Sequence, residues 1–175
     1  MTMNTDALVI DASAAISLVR DEEAGSAVRG IIGQDAVRPL LVPEIFWVEV
    51  ANILVRRHGM PMDAVLEGLA ELDGLGLHTV LANRPGLLNS VALMLEHGLS
   101  AYDATYLALA EAVDAELLTL DRKLAAAAGA RAVQLARGEV REARAPYRLK
   151  PWITWDEAAN YFKAVREVTL EEARR

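Results

Sequence analysis

Four short apolar runs, spread evenly along the chain, constrain its fold more than any other feature. They are "ALVI" at 7–10, "PLLVP" at 39–43, "LHTVL" at 77–81 and "ELLTL" at 116–120. A strand covered on both faces reads as a continuous apolar run rather than an alternating one. Between these runs the sequence has helical periodicity. "ASAAISLV" onward reads as one helix that loses its pattern around Gly30–Gly33. Residues 44–58 read as a helix beginning beside Pro43 and ending at Gly59, and Pro61 opens another over 62–73. Residues 86–97 stop at Gly98, Ser100 begins a helix to about 113, and a short helix follows Asp121. "RAVQL" at 131–135 is a weak fifth strand. Parallel strands need crossover connections, so this alternation predicts an α/β fold: a central, mainly parallel sheet with helices on both faces, a three-layer α/β/α sandwich.

The organisation changes after about residue 136. We expect one domain over 1–137 and a second unit over 138–175, a charged connector followed by a helical extension. In the extension Thr154 and Glu157 form a capping-box pattern, and Trp155, Ala158, Ala159, Phe162 and Val165 share one helical face. Charge divides along the same line. The chain carries −7 overall, but residues 1–130 hold eight basic and eighteen acidic side chains, and residues 131–150 hold six and two. An acidic body argues against holding nucleic acid by bulk charge alone. It leaves room for carboxylates gathered around a metal ion beside a local basic strip. The absence of cysteine excludes disulfides, thiolate metal sites and a Cys nucleophile, and it fits a reducing cytoplasm. No apolar run approaches a membrane span, and the N-terminus has no leader pattern, so a cytoplasmic protein with no membrane partner is expected.

Four carboxylates stand out. Asp11 and Asp121 each follow a strand run, which places them at the carboxyl edge of a parallel sheet, where such folds build their sites. Asp103 lies in the first turn of a helix. Glu49 and Asn52 are the only polar residues in "IFWVEVANILV", three apart on what reads as a buried helix. A carboxylate there is unfavourable by several kcal/mol unless it is paired or bound to a cation. Plain readings compete: Asp11 or Ser13 as N-cap, Asp121 as N-cap, Ser100 with Asp103 as a capping box, Glu49 in an ion pair with a buried arginine. Taken together, four acids at one edge would repel one another unless cations neutralise them. Oxygen-only ligation suits Mg²⁺ or Mn²⁺, metals that bind phosphate and activate water.

"VIDASA", "EVAN", "LSAYDATYLALA" and "LLTLDRKLA", in this order over about residues 7–136, resemble a PIN-domain ribonuclease, most of all the VapC toxins of type II toxin–antitoxin systems. The resemblance implies a PIN-like sandwich, Mg²⁺- or Mn²⁺-dependent endoribonuclease activity on an RNA such as a tRNA or rRNA, a homodimer and inhibition by a VapB-type antitoxin. It implies Asp11, Glu49, Asp103 and Asp121 as the acidic quartet; joined to the reading of the residues, this gives Asp11 and Asp103 as direct metal ligands, with Glu49 and Asp121 completing the site or holding metal-bound waters. Ser13 matches the small hydroxyl residue that hydrogen-bonds within such a site. The tail departs from the pattern. Three readings stand: packing on the domain surface, an arm for dimer or antitoxin docking, or an internal inhibitor with Arg174 or Arg175 in the acidic cleft. Arg137, Arg141, Arg144 and Arg148 would share a face if their stretch were helical; Pro146 argues for a solvated connector instead.

Other readings fare less well. A receiver domain would not need Glu49 on a buried helix and normally has a Lys after its last strand. A haloacid-dehalogenase-like phosphatase wants Asp where Ser13 stands. A catalytically silent PIN-like scaffold that binds RNA or protein is the remaining alternative. His58 and His97 precede glycines at helix ends and read as C-terminal charges rather than ligands, and His78 falls within a strand candidate. Trp47, Trp152 and Trp155 read as packing residues.

Overall fold

A computed structural model describes residues 7–34, 38–135 and 152–154. Its sheet has five parallel strands in the order β4-β1-β2-β3-β5: β1 (Leu8–Ile10), β2 (Leu40–Pro43), β3 (His78–Leu81), β4 (Glu116–Leu118) and β5 (Trp152–Thr154). The first four are the apolar runs of the sequence. Leu8, Ile10, Leu41, Leu117 and Leu118 are fully buried, as strands covered on both faces must be.

The layering follows from strand order and the right-handed crossover rule. The connection from β1 to β2 carries α1 (Ala12–Val19) and α2 (Glu23–Gln34). From β2 to β3 it carries α3 (Ile45–Asn52) and α4 (Met62–Asp73). Both steps move the same way across the sheet, so these helices share a face. The next connection, through α5 (Arg84–His97) and α6 (Ala101–Ala112), returns to the far side of β1, so those helices cover the other face. Helix α6 lies over β1, β2 and β4 with α5 packed against it. Its run from Tyr106 to Ala110 is accordingly buried all round. The short α7 (Arg122–Ala128) follows β4. The strand order reverses between β1 and β4, and the carboxyl ends of these two strands flank the crevice that such a reversal opens.

Three local readings change. The stretch after Asp11 is two helices, not one: Asp21 takes a left-handed conformation (φ 49°), which Asp tolerates better than most residues, and the chain turns there. The turn lets α2 approach α1 closely at Gly25, where a Cβ would stand 2.4 Å from the Ser17 carbonyl oxygen. Gly25→Ala is therefore expected to destabilise the fold by about 1–3 kcal/mol, since backbone must shift to admit the methyl, and urea unfolding measures this. Helix α3 is buried on one face only. Phe46 and Val50 are inside, whereas Val48 is 64% exposed and Val55, in the π-helical turn Ile53–Arg57 that continues α3, is 48% exposed. Finally, residues 131–135 do not form a strand. Residues 129–131 are a 3₁₀ turn, and only Ala132 bridges to Leu117. The fifth strand comes from residues 152–154 and pairs with β3 at the opposite edge, Thr79 beside Trp152 and Leu81 beside Thr154. The amphipathic helix expected after it, and the basic stretch 137–150, lie outside the described residues.

Histidines 58 and 97 sit where expected. Each closes a helix, and Gly59 (φ 62°) and Gly98 (φ 63°) supply the left-handed residue that follows. Trp47 packs against the core and donates from Nε1 to Thr79 Oγ1 at 2.9 Å, a structural contact between α3 and β3.

Candidate active site

The plain capping roles are all present. Asp11 is the N-cap of α1 and accepts from the Ser13 backbone N–H at 3.2 Å. Asp121 caps α7, with Oδ1 accepting from the N–H groups of Lys123 and Leu124, both at 2.8 Å. Ser100 caps α6 by accepting from the Asp103 N–H at 3.1 Å, and its hydroxyl donates to Asp103 Oδ2 at 2.7 Å. The arginine partner for Glu49 is not there among the described residues. Instead Tyr106 donates its hydroxyl to Glu49 Oε2 at 2.7 Å.

Capping leaves the electrostatics unsolved. Asp11 is only 3% exposed. Burial pushes its carboxyl above the ordinary range, the Ser13 and Thr119 hydroxyls and the Ser13 N–H pull it back, and the charge of Asp103 pushes it up again. Glu49 is raised to about 7, first by burial and then by the charges of Asp11 and Asp103, with the Tyr106 hydrogen bond opposing. Burial, and after it the Glu49 and Asp11 charges, also drive the Tyr106 phenol upward, so it stays a protonated donor. Asp11, Glu49 and Asp103 thus form one repelling set, drawn from β1, α3 and α6. None of the three has an ion pair among the described residues.

The structure ties the Asp121 backbone, and not its carboxylate, to this set through a hydroxyl relay. Thr119 Oγ1 donates to Asp11 Oδ2 at 2.8 Å and accepts from the Asp121 N–H at 3.0 Å. Ser13 also donates to Asp11 Oδ2 and accepts from the Leu120 N–H at 2.9 Å. These bonds stitch the ends of β1 and β4 together across the crevice. On the other side Lys123 donates from Nζ to the Gly98 carbonyl, which ties the turn before Asp103 to the helix after Asp121.

One regularity runs through all four acids. Each is held through a single oxygen: Asp11 and Asp103 by Oδ2, Glu49 by Oε2, Asp121 by Oδ1. The second oxygen of each accepts no hydrogen bond among the described residues, and none of the four is a buried atom left without a partner. The set therefore offers hard oxygen donors and uncompensated negative charge, which fits Mg²⁺ or Mn²⁺ in kind. As they stand, no three Asp, Glu or His side chains among the described residues converge tightly enough to hold an ion.

Two residues escaped the sequence reading. Thr119 was visible only as part of "LLTLD"; its partner Asp11 lies 108 residues away. Tyr106 could have been found from its position three residues after Asp103, on the same face of α6.

The same frame occurs in known proteins. A family model of the PIN domain matches residues 8–130. The chain belongs to the PIN domain family. Its PIN relatives include the protein named ribonuclease VapC3 of Pyrobaculum aerophilum, 37% identical over 125 residues that cover 67% of this chain and 92% of the relative. Ribonuclease VapC1 of Mycobacterium tuberculosis is 33% identical over 129 residues, covering 71% and 92%. Among solved structures, Mycobacterium tuberculosis VapC20, described as a sarcin-ricin loop cleaving toxin, aligns with a TM-score of 0.57 at 17% identity, covering 69% of this chain and 94% of that one. Pyrobaculum aerophilum PAE2754 aligns with a TM-score of 0.52 at 19% identity, covering 93% and 99%. At these identities the structures speak for the fold alone. That fold is the α/β/α sandwich expected from the apolar runs, and it is PIN-like as the resemblance of the motifs implied. Among the described residues no helix is long and apolar enough to cross a membrane.

Proposed function

We propose that this PIN protein is a Mg²⁺- or Mn²⁺-dependent endoribonuclease, the toxin of a VapBC-type pair acting in the cytoplasm. The observation that carries the proposal is the set Asp11, Glu49 and Asp103: three mutually repelling carboxylates at the strand-order reversal, with no cationic side chain among the described residues to neutralise them. The ribonuclease names of the relatives supply the reaction class. In this reading Asp11 and Asp103 bind the ion directly, and Glu49 and Asp121 complete the site or hold its waters. The chemistry such an ion supplies is activation of water and neutralisation of charge at a phosphodiester. Ser13 and Thr119 fix the Asp11 carboxylate so that its other oxygen faces a constant environment. The substrate class is a tRNA or rRNA, the controlling partner a VapB-type antitoxin, and the assembly a homodimer. Residues 1–137 form the nuclease unit and residues 138–175 an appendage that lends strand β5 to its sheet.

The silent-scaffold reading draws on one observation, that among the described residues no three acids close around a point as they stand. One assay separates the two. Wild-type protein incubated with total RNA and Mn²⁺ is expected to give discrete fragments that EDTA abolishes. Intact RNA at every Mn²⁺ concentration, with a folded protein, would leave the scaffold reading standing.

A further inference from the structure

We propose that Tyr106 is a positioning residue that holds Glu49 ready for the cation and thereby sets how tightly the site takes it; this rests on the metal-dependent reading above. Tyr106 is fully buried on α6, one turn after Asp103, so one helix carries a proposed ligand and the group that fixes another. Its hydroxyl has two neighbours. It donates to Glu49 Oε2 at 2.7 Å, and the Ala12 backbone N–H faces the same oxygen. Because an N–H can only donate, the phenolic proton is directed to Glu49. Oε2 is thus committed, and Oε1 is the oxygen left to bind. Ala12 follows Asp11 directly, so this one phenol references Glu49 to the end of β1, where the site begins. A tyrosine that only needed to satisfy its buried hydroxyl could have used a backbone carbonyl. This one instead spans 57 residues of sequence to reach a carboxylate that has no cationic partner among the described residues.

Outer hydrogen bonds of this kind typically change metal affinity ~10–100-fold when removed. Tyr106→Phe keeps the ring and removes only the hydroxyl. Mn²⁺ is titrated into the full chain, followed by calorimetry and by the rise in thermal midpoint. The expected result is an apparent Mn²⁺ constant weaker by ~10–100-fold, with RNA cleavage recovering toward wild type once Mn²⁺ is saturating. In a Glu49→Gln background the Phe substitution should weaken binding no further, because its effect passes through Glu49. A lower metal-free midpoint with an unchanged Mn²⁺ constant would overturn the inference and leave Tyr106 a structural residue. Equal weakening with and without Glu49 would overturn it too. If wild type shows no Mn²⁺ response at all, the metal-dependent reading falls and this inference with it.

Discussion

Asp11→Asn is expected to lower metal-dependent RNA cleavage by roughly 10²–10³-fold, the scale seen when one charge-stabilising group is removed from an active site. The metal-free protein should be as stable as wild type or more so. The two halves of this expectation have one cause. Asp11 sits nearly out of water beside Asp103 and Glu49, so its charge is a burden to the fold until something positive arrives. The amide has the same shape. Its oxygen still accepts from Ser13 and Thr119, so the cap and the link between β1 and β4 survive. Thermal unfolding in EDTA, run beside the cleavage assay, tests both halves. A fall in midpoint of more than about 5 °C with the loss of activity would show that folding, not chemistry, had been damaged. Undiminished cleavage would remove Asp11 from the site.

The second large effect is on pH. Glu49 has a folded-state pKa of about 7 against an ordinary value of 4.5. Between these values the native protein holds a proton that the unfolded chain has released. Stability of the metal-free protein therefore falls as pH rises through this window, and it levels off above about 7. Asp11 shifts the same way from 3.8 and extends the slope toward acid. For half-buried Glu49 the change is about 1–2 kcal/mol once solvent screening is allowed for. Metal binding runs in the opposite direction, because a ligating carboxylate must be ionised. Below about pH 7 the apparent Mn²⁺ affinity should drop by about tenfold per pH unit for each proton displaced. Urea unfolding in EDTA at pH 5 and pH 8, paired with Mn²⁺ titrations at pH 6 and pH 8, reads both trends. Glu49→Gln should flatten the first and weaken the second. Identical slopes in wild type and variant would exclude Glu49 as their source.

What the sequence disclosed and what it hid divide along a physical line. Strands β1 to β4 were legible because each is a dense apolar run closed by a turn or helix-start residue, and the acids Asp11 and Asp121 were legible because they stand at those closures. The break at Asp21 was hidden because a left-handed residue other than glycine leaves no mark in an apolar pattern. The exposure of Val48 and Val55 was hidden for a related reason: apolar residues report what can be buried, not what is. Strand β5 pairs with a strand more than seventy residues earlier, a relation that local pattern does not encode. The same holds for the site. Asp103 and Glu49 could be named one by one, but their coupling, the Tyr106 hydroxyl between α6 and α3, and the Thr119 relay exist only once β1, α3, α6 and the end of β4 are assembled.

The placement of β5 has a bearing on solubility. A parallel sheet built from Leu, Val and Ile invites other chains to extend it, and an open edge is where extension begins. Among the described residues the sheet tapers. On one side it ends in the three residues of β4 with a single bridge beyond, and on the other in the three residues of β5. Edges this short, among the described residues, offer an incoming strand few main-chain partners. Among the described residues, recognition is left to side chains on the helices and at the carboxyl edge, where specificity is easier to write.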